Sequence, residues 1–204
     1  MNYLAVDTSG KNLSIIIKKD GVAYKYYDGE CGVRHSVSLM PEIEKLVTKA
    51  QAKLSDLDFF AVVVGAGSFT GIRIGVSAVK AMCFAYNKPC LAITSFDTLA
   101  YNVNKVTPKT LAILDAGHGG YYACGYNGEE IDFAPTYILE EQLEKIKLNY
   151  QIVVTDKEMD GATAVATIDG LERAVDKKVN NVTFNLDSIE PLYCRKSQAE
   201  EGRK

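Results

Sequence analysis

Three observations make this chain an α/β protein. Five consecutive apolar residues, Phe60 to Val64, form the kind of run that a strand buried on both faces of a sheet requires. The run stops at Gly65-Ala-Gly-Ser-Phe-Thr-Gly71, and an apolar helical stretch follows to about Tyr86. Three strand-like segments joined by tight turns precede it, and a further strand–helix pair begins at Pro89. A sheet that opens antiparallel and continues parallel is of the ribonuclease-H-like kind.

The elements follow in order. Leu4-Ala-Val-Asp7 reads as a short buried strand that ends in an acid and the turn Thr8-Ser9-Gly10. Leu13 to Lys18 and Val22 to Tyr27 flank Asp20-Gly21, a tight hairpin dipeptide. Beyond a glycine-containing loop, His35 and Ser36 precede a helical pattern carrying Leu39, Met40, Ile43, Leu46, Val47, Ala50 and Leu54. Gly65, Gly67 and Gly71 permit positive φ and close backbone approach, and Ser68 or Thr70 can cap the helix that starts near Gly71. Its free N–H groups suit an anion or another protein's backbone. Pro89 to Thr94 is the next strand, and Ser95-Phe96-Asp97 caps a helix with Leu99 and Ala100.

From Thr110 the same grammar repeats more weakly. Leu111-Ala-Ile-Leu-Asp115 echoes Leu4 to Asp7, Tyr121 to Tyr126 ends at Asn127-Gly128, and Ile131 to Tyr137 follows. A helix over Glu140 to Leu148, a strand over Gln151 to Thr155 and a short helix over Leu171 to Val179 complete the pattern. The reading gives a first lobe over residues 1–105, rejoined at about 189–196, a smaller second lobe over 106–188, and a flexible tail over 197–204.

Composition narrows the function. With 23 basic and 26 acidic residues, the net charge of −3 argues against a chain that grips nucleic acid alone. The five cysteines are widely spaced without a C-x-x-C pair, so reduced structural thiols are expected. No basic segment followed by a long apolar one opens the sequence, and no run reaches the length of a membrane span, so a cytoplasmic protein is expected. Two distant histidines, His35 and His118, make a zinc or iron site improbable.

Asp7 and Asp115 close equivalent strands, where two-lobed ATPases direct carboxylates at a metal–nucleotide complex; the plainer reading is that each caps its own turn. The glycine loop lacks the Lys of a Walker A loop and is one residue too long for a dinucleotide fingerprint. Gly71 and Gly75 with Ala78 are read as a small-residue face where another helix packs closely. The helix carrying them is apolar around almost its whole circumference, which calls for cover beyond one sheet face.

Gly65-Ala-Gly-Ser-Phe-Thr-Gly-Ile-Arg-Ile-Gly75 closely resembles the G-P-G-S-F-T-G-L-R-I-G signature of the TsaB/YeaZ family. Leu4-Ala-Val-Asp-Thr-Ser9, Arg34-His-Ser36, Thr94-Ser95, Asp115-Ala116 and Pro191-Leu-Tyr-Cys-Arg195 match in order, and the likeness is loose between about Gln142 and Asp187. The resemblance implies an actin-like, two-lobed ATPase fold without catalytic equipment of its own. It implies a scaffold that binds and activates TsaD, with TsaE, in making threonylcarbamoyladenosine in tRNA. It implies contact with tRNA only through that complex and no cofactor of its own beyond ATP or ADP at the shared interface; the surplus apolar surface of the helices near Ser36 and Gly71 calls for TsaD there or, when TsaD is absent, a second copy of the chain. His35, Leu39, Ile43, Ser68, Phe69, Thr70, Gly71, Arg73, Ile74, Gly75 and Ala78 are the candidate partner residues. Asp7, Thr8, Ser9 and Asp115 are a candidate vestigial nucleotide site. Ala66 stands where the family has Pro, and Gly117-His118 where it has Arg. The rival reading is a small-molecule kinase or ATPase working through Asp7 and Asp115; a metalloprotease-like enzyme is weaker for want of ligands.

Overall fold

A computed structural model describes residues 1–103 and 109–195; the expected tail over 197–204 lies outside them. The first sheet contains β1 (Tyr3–Asp7), β2 (Leu13–Lys19), β3 (Val22–Asp28), β4 (Phe59–Val63) and β5 (Cys90–Ile93) in the order β3-β2-β1-β4-β5. β1 pairs antiparallel with β2 and parallel with β4. The second holds β6 (Thr110–Gly117), β7 (Gly120–Asn127), β8 (Glu130–Leu139), β9 (Ile152–Thr155) and β10 (Thr163–Ala164) in the order β10-β9-β6-β7-β8. Read from the other edge, that is the same topology, so the weak repetition in the sequence is a full repetition of the fold. Two such sheets with flanking helices are the actin-like architecture.

Among the described residues, five α-helices place the layers. α1 (His35–Lys49) and α2 (Phe69–Tyr86) cover one face of the first sheet, meeting Leu4, Val6, Ile15, Ile17, Phe60 and Val62. The opposite face, with Tyr3, Ala5, Ile16, Ala61 and Val63, receives α5 (Thr167–Lys178) through Leu171, Ala174 and Val175. On the second sheet α3 (Ser95–Ala100) packs against Ala112, Cys124, Tyr126 and Val154, and α4 (Glu140–Lys147) covers Leu111 and Ile113. α5 is a correction to the lobe limits expected from sequence. The sequence pattern places residues 167–178 in the second lobe, yet they complete the core of the first. The cause is tertiary: Lys18 and Lys25 on β2 and β3 pair with Asp169, Glu172 and Asp176, and the Tyr3 hydroxyl donates to Asp176.

Among the described residues, no helix is long and apolar enough to cross a membrane. All five cysteines are free thiols, four of them buried. Burial pushes the Cys124 thiol up to about 12.

Candidate functional site

The glycine loop and the turn after β1 are built into each other. A Cβ on Gly67 would collide with the carbonyl oxygen of Ser9, one on Gly71 with the carbonyl of Thr8, and one on Gly75 with the Thr8 hydroxyl. The Ser68 N–H donates to the Ser9 carbonyl at 2.6 Å, and the Thr8 hydroxyl donates to the Gly71 carbonyl at 2.7 Å. Ser68 caps α2, its hydroxyl accepting from the Gly71 N–H at 3.2 Å. The helix start that suited an anion or another protein's backbone therefore holds this chain's own carbonyl. The expectation that Gly71 and Gly75 admit a partner helix is overturned for the same reason, since both are buried against Thr8. The cradle does not fit the phosphates of a nucleotide, because backbone already fills it.

Asp7 and Asp115 do equivalent work at the ends of β1 and β6. Asp7 Oδ1 accepts from the Ser9 N–H at 2.8 Å and Asp115 Oδ1 from the Gly117 N–H at 2.7 Å, the turn-capping arrangement in both cases. Their surroundings differ. Asp7 is 2% exposed, its Oδ1 also accepting from the Ser9 hydroxyl at 2.7 Å. Ser9 in turn lies 2.9 Å from the Ser95 hydroxyl, which donates to the Ala66 carbonyl at 2.6 Å. Burial raises the Asp7 carboxyl above the ordinary range, with the nearby Asp156 charge adding to it, against the Ser9 bonds and His35. Asp115 is held below that range, first by its hydrogen bond from Lys157.

The Asp7 shift has a testable sign. The folded chain holds this proton more tightly than the unfolded chain, so stability falls as pH rises from the unfolded value near ~4 through the raised folded one. Asp7→Asn removes that cost, and its stability relative to the native chain should improve as urea midpoints are taken from about pH 4 to pH 7. A difference between the two that stays constant over that range would contradict the assignment.

The candidate partner residues divide. His35 is buried and its Nε2–H donates to the Asn12 carbonyl at 3.0 Å, tying the start of α1 to the turn before β2. Leu39 and Ile43 are 2% and 1% exposed and belong to the first core, so as surface contacts they are corrected. Ile74 and Ala78 are half-buried at the edge of that core, while Ser68, Thr70 and Arg73 are exposed. Phe69 and Arg73 are engaged within the chain, Arg73 lying 3.9 Å from the Phe69 ring centroid. α1 presents Val37 and Met40 at 74% and 49% exposure, the short turn before it presents Val33 at 98%, and α2 presents Phe84 at 85%. The helical spacing in the sequence groups Met40 with Leu39 and Ile43 in one pattern, and burial separates it from them.

The family model described as TsaD: tRNA N6-adenosine threonylcarbamoyltransferase matches residues 29–160. The tRNA threonylcarbamoyladenosine biosynthesis protein TsaB of Bacillus subtilis is 32% identical over 152 residues, covering 72% of this chain and 66% of that protein. The chain belongs to the TsaB/YeaZ family. The Escherichia coli TsaB is 28% identical over 133 residues, 64% of this chain and 57% of its own length, so the matched part spans between about half and two thirds of these relatives. The solved structure of YeaZ from Pseudomonas aeruginosa superposes with a TM-score of 0.75 over 94% of this chain and 99% of its own, at 20% identity, a likeness of fold.

Against the TsaB/YeaZ signature, Ala66 is buried and takes part through its carbonyl, which accepts from Ser95. His118 lies in the exposed turn between β6 and β7 at a φ of 54°. Ser95 is the residue that sequence reasoning took only as a helix cap; the capping hydroxyl belongs to Thr94, which frees Ser95 for the Asp7–Ser9–Ser95 chain.

Proposed function

We propose that this protein is a non-catalytic subunit that binds and activates the threonylcarbamoyltransferase TsaD, together with TsaE, in forming threonylcarbamoyladenosine in cytoplasmic tRNA. One observation carries the reading: α1 and α2 bury one side in the first core and leave Val37, Met40 and Phe84 open on another, with Val33 open in the turn just before α1. Large apolar side chains exposed on neighbouring helices suit a protein partner. The names of the relatives supply the pathway, and Asp7 and Asp115, spent on their own turns, favour a scaffold over the kinase or ATPase reading. tRNA is reached through the complex. An adenine nucleotide, if one takes part, sits at the surface shared with the partner. Without TsaD the same helices pair with a second copy of the chain.

Val37→Glu and Phe84→Glu test this without disturbing the core. A charge desolvated at such a contact costs several kcal/mol, so binding to TsaD measured by calorimetry should weaken by ~100-fold or more with unchanged circular dichroism. Wild-type affinity in both variants would place the contact elsewhere. Undiminished tRNA modification by TsaD, TsaE and the adenylate-forming enzyme when this chain is left out would overturn the activating role itself.

A further inference from the structure

Residues 189–195 run across both lobes. On the first, Lys80 donates to the Ile189 carbonyl at 3.4 Å and the Leu192 N–H donates to the Val64 carbonyl at 2.7 Å. Tyr193 stacks on Phe69 with ring centroids 4.6 Å apart, and the Arg73 Nε–H donates to the Tyr193 hydroxyl at 2.9 Å. Two residues on, the Arg195 guanidinium lies 4.8 Å from the ring centroid of Tyr137 on β8 and donates to its hydroxyl at 3.4 Å. Leu192 packs into both the first core and the core between the lobes, where Cys194 also sits. The segment 191–195 forms neither helix nor strand. An arginine–aromatic contact lies at each end, and the Leu192 backbone bond to Val64 and the Leu192 side chain lie between them.

We propose that residues 189–195 are a clasp coupling the start of α2 to the second sheet, so that the arginine–aromatic contact on either lobe sets the order of the other. Contacts of this kind at partly exposed sites are individually weak, so the clasp opens locally while both sheets stay folded. Opening withdraws Tyr193 from Phe69 and Arg73 on the first two turns of α2. The Leu192 carbonyl also leaves Gly65, where a Cβ would lie 2.6 Å from it, so the glycine loop gains freedom at its first residue. The order of the loop is thereby tied to how the second lobe is fastened.

Amide hydrogen exchange on the full chain reads this directly. In Arg195→Ala, the Leu192 amide and those of residues 68–71 should exchange roughly tenfold faster, with the amides of β1 and β6 unchanged. Arg73→Ala should in the reverse direction speed exchange around Tyr137, and Arg195→Lys should restore part of the protection. Arg195 sits at a partly open position, so its variants report even where Arg73→Ala lowers overall stability. Faster exchange confined in Arg195→Ala to residues 193–195, with 68–71 and Leu192 untouched, would overturn the coupling.

Discussion

Replacing Asp97 with alanine should cost about 3–5 kcal/mol, the loss expected when one member of a buried ion pair is removed. Asp97 has no exposed surface, and four groups converge on its carboxylate. Thr94 donates its N–H at 2.9 Å and its hydroxyl at 2.7 Å to Oδ2, while the Tyr126 hydroxyl at 3.0 Å and the Lys178 ammonium at 2.7 Å meet Oδ1. These partners come from the cap of α3, from β7 of the second sheet and from α5 on the first, so one carboxylate joins the lobes. The alanine variant leaves the Tyr126 hydroxyl without this acceptor and Lys178 without its counter-charge, and it removes the capping box of α3. At roughly 2–4 °C per kcal/mol for a chain of this size, the melting temperature should fall by about 6–20 °C. Asp97→Ala combined with Lys178→Met should recover part of the loss, since the second change removes the orphaned charge. A single variant melting within about 2 °C of the native chain would show that the network is dispensable.

Gly71→Ala is the second large effect, and its sign is set by a contest. Alanine gains about 1 kcal/mol over glycine inside a helix. The new Cβ, however, meets the Thr8 carbonyl oxygen, which is backbone and cannot rotate aside. The turn bearing Thr8 is also pinned, through its hydroxyl to the Gly71 carbonyl and through the Ser9 carbonyl to Ser68. Overpacking against an immobile neighbour costs about 3 kcal/mol or more, so the clash wins. Urea denaturation should show a net loss of at least ~2 kcal/mol, whereas Ser77→Ala, on the exposed side of the same helix, should be neutral or slightly stabilising. Equal midpoints for Gly71→Ala and the native chain would mean that the loop and the turn yield to each other.

Both effects rest on contacts between segments far apart in the sequence. Asp97 was legible as a helix cap, because a cap is a local pattern, and the structure adds Tyr126 and Lys178 from 29 and 81 residues away. Gly71 was legible as a place of close approach, because a missing side chain signals that much; what approaches it was not. Local spacing likewise marked α1 as one helical pattern through Leu39, Met40, Ile43, Leu46 and Val47, without telling the face that meets the core from the face that stays open. The stripe through Leu39 is the buried one.

The sequence by itself determined the α/β class, the order of nearly every element, the repetition of one sheet topology and the family, because each depends on short-range periodicity, turn chemistry or motif. Tertiary structure alone decided that α5 belongs to the first lobe, that the turn after β1 fills the glycine loop, and which face of α1 stays open. These depend on which distant surfaces meet. A helical stripe or a glycine records only that something packs there, and the identity of that neighbour is a property of the assembled sheets.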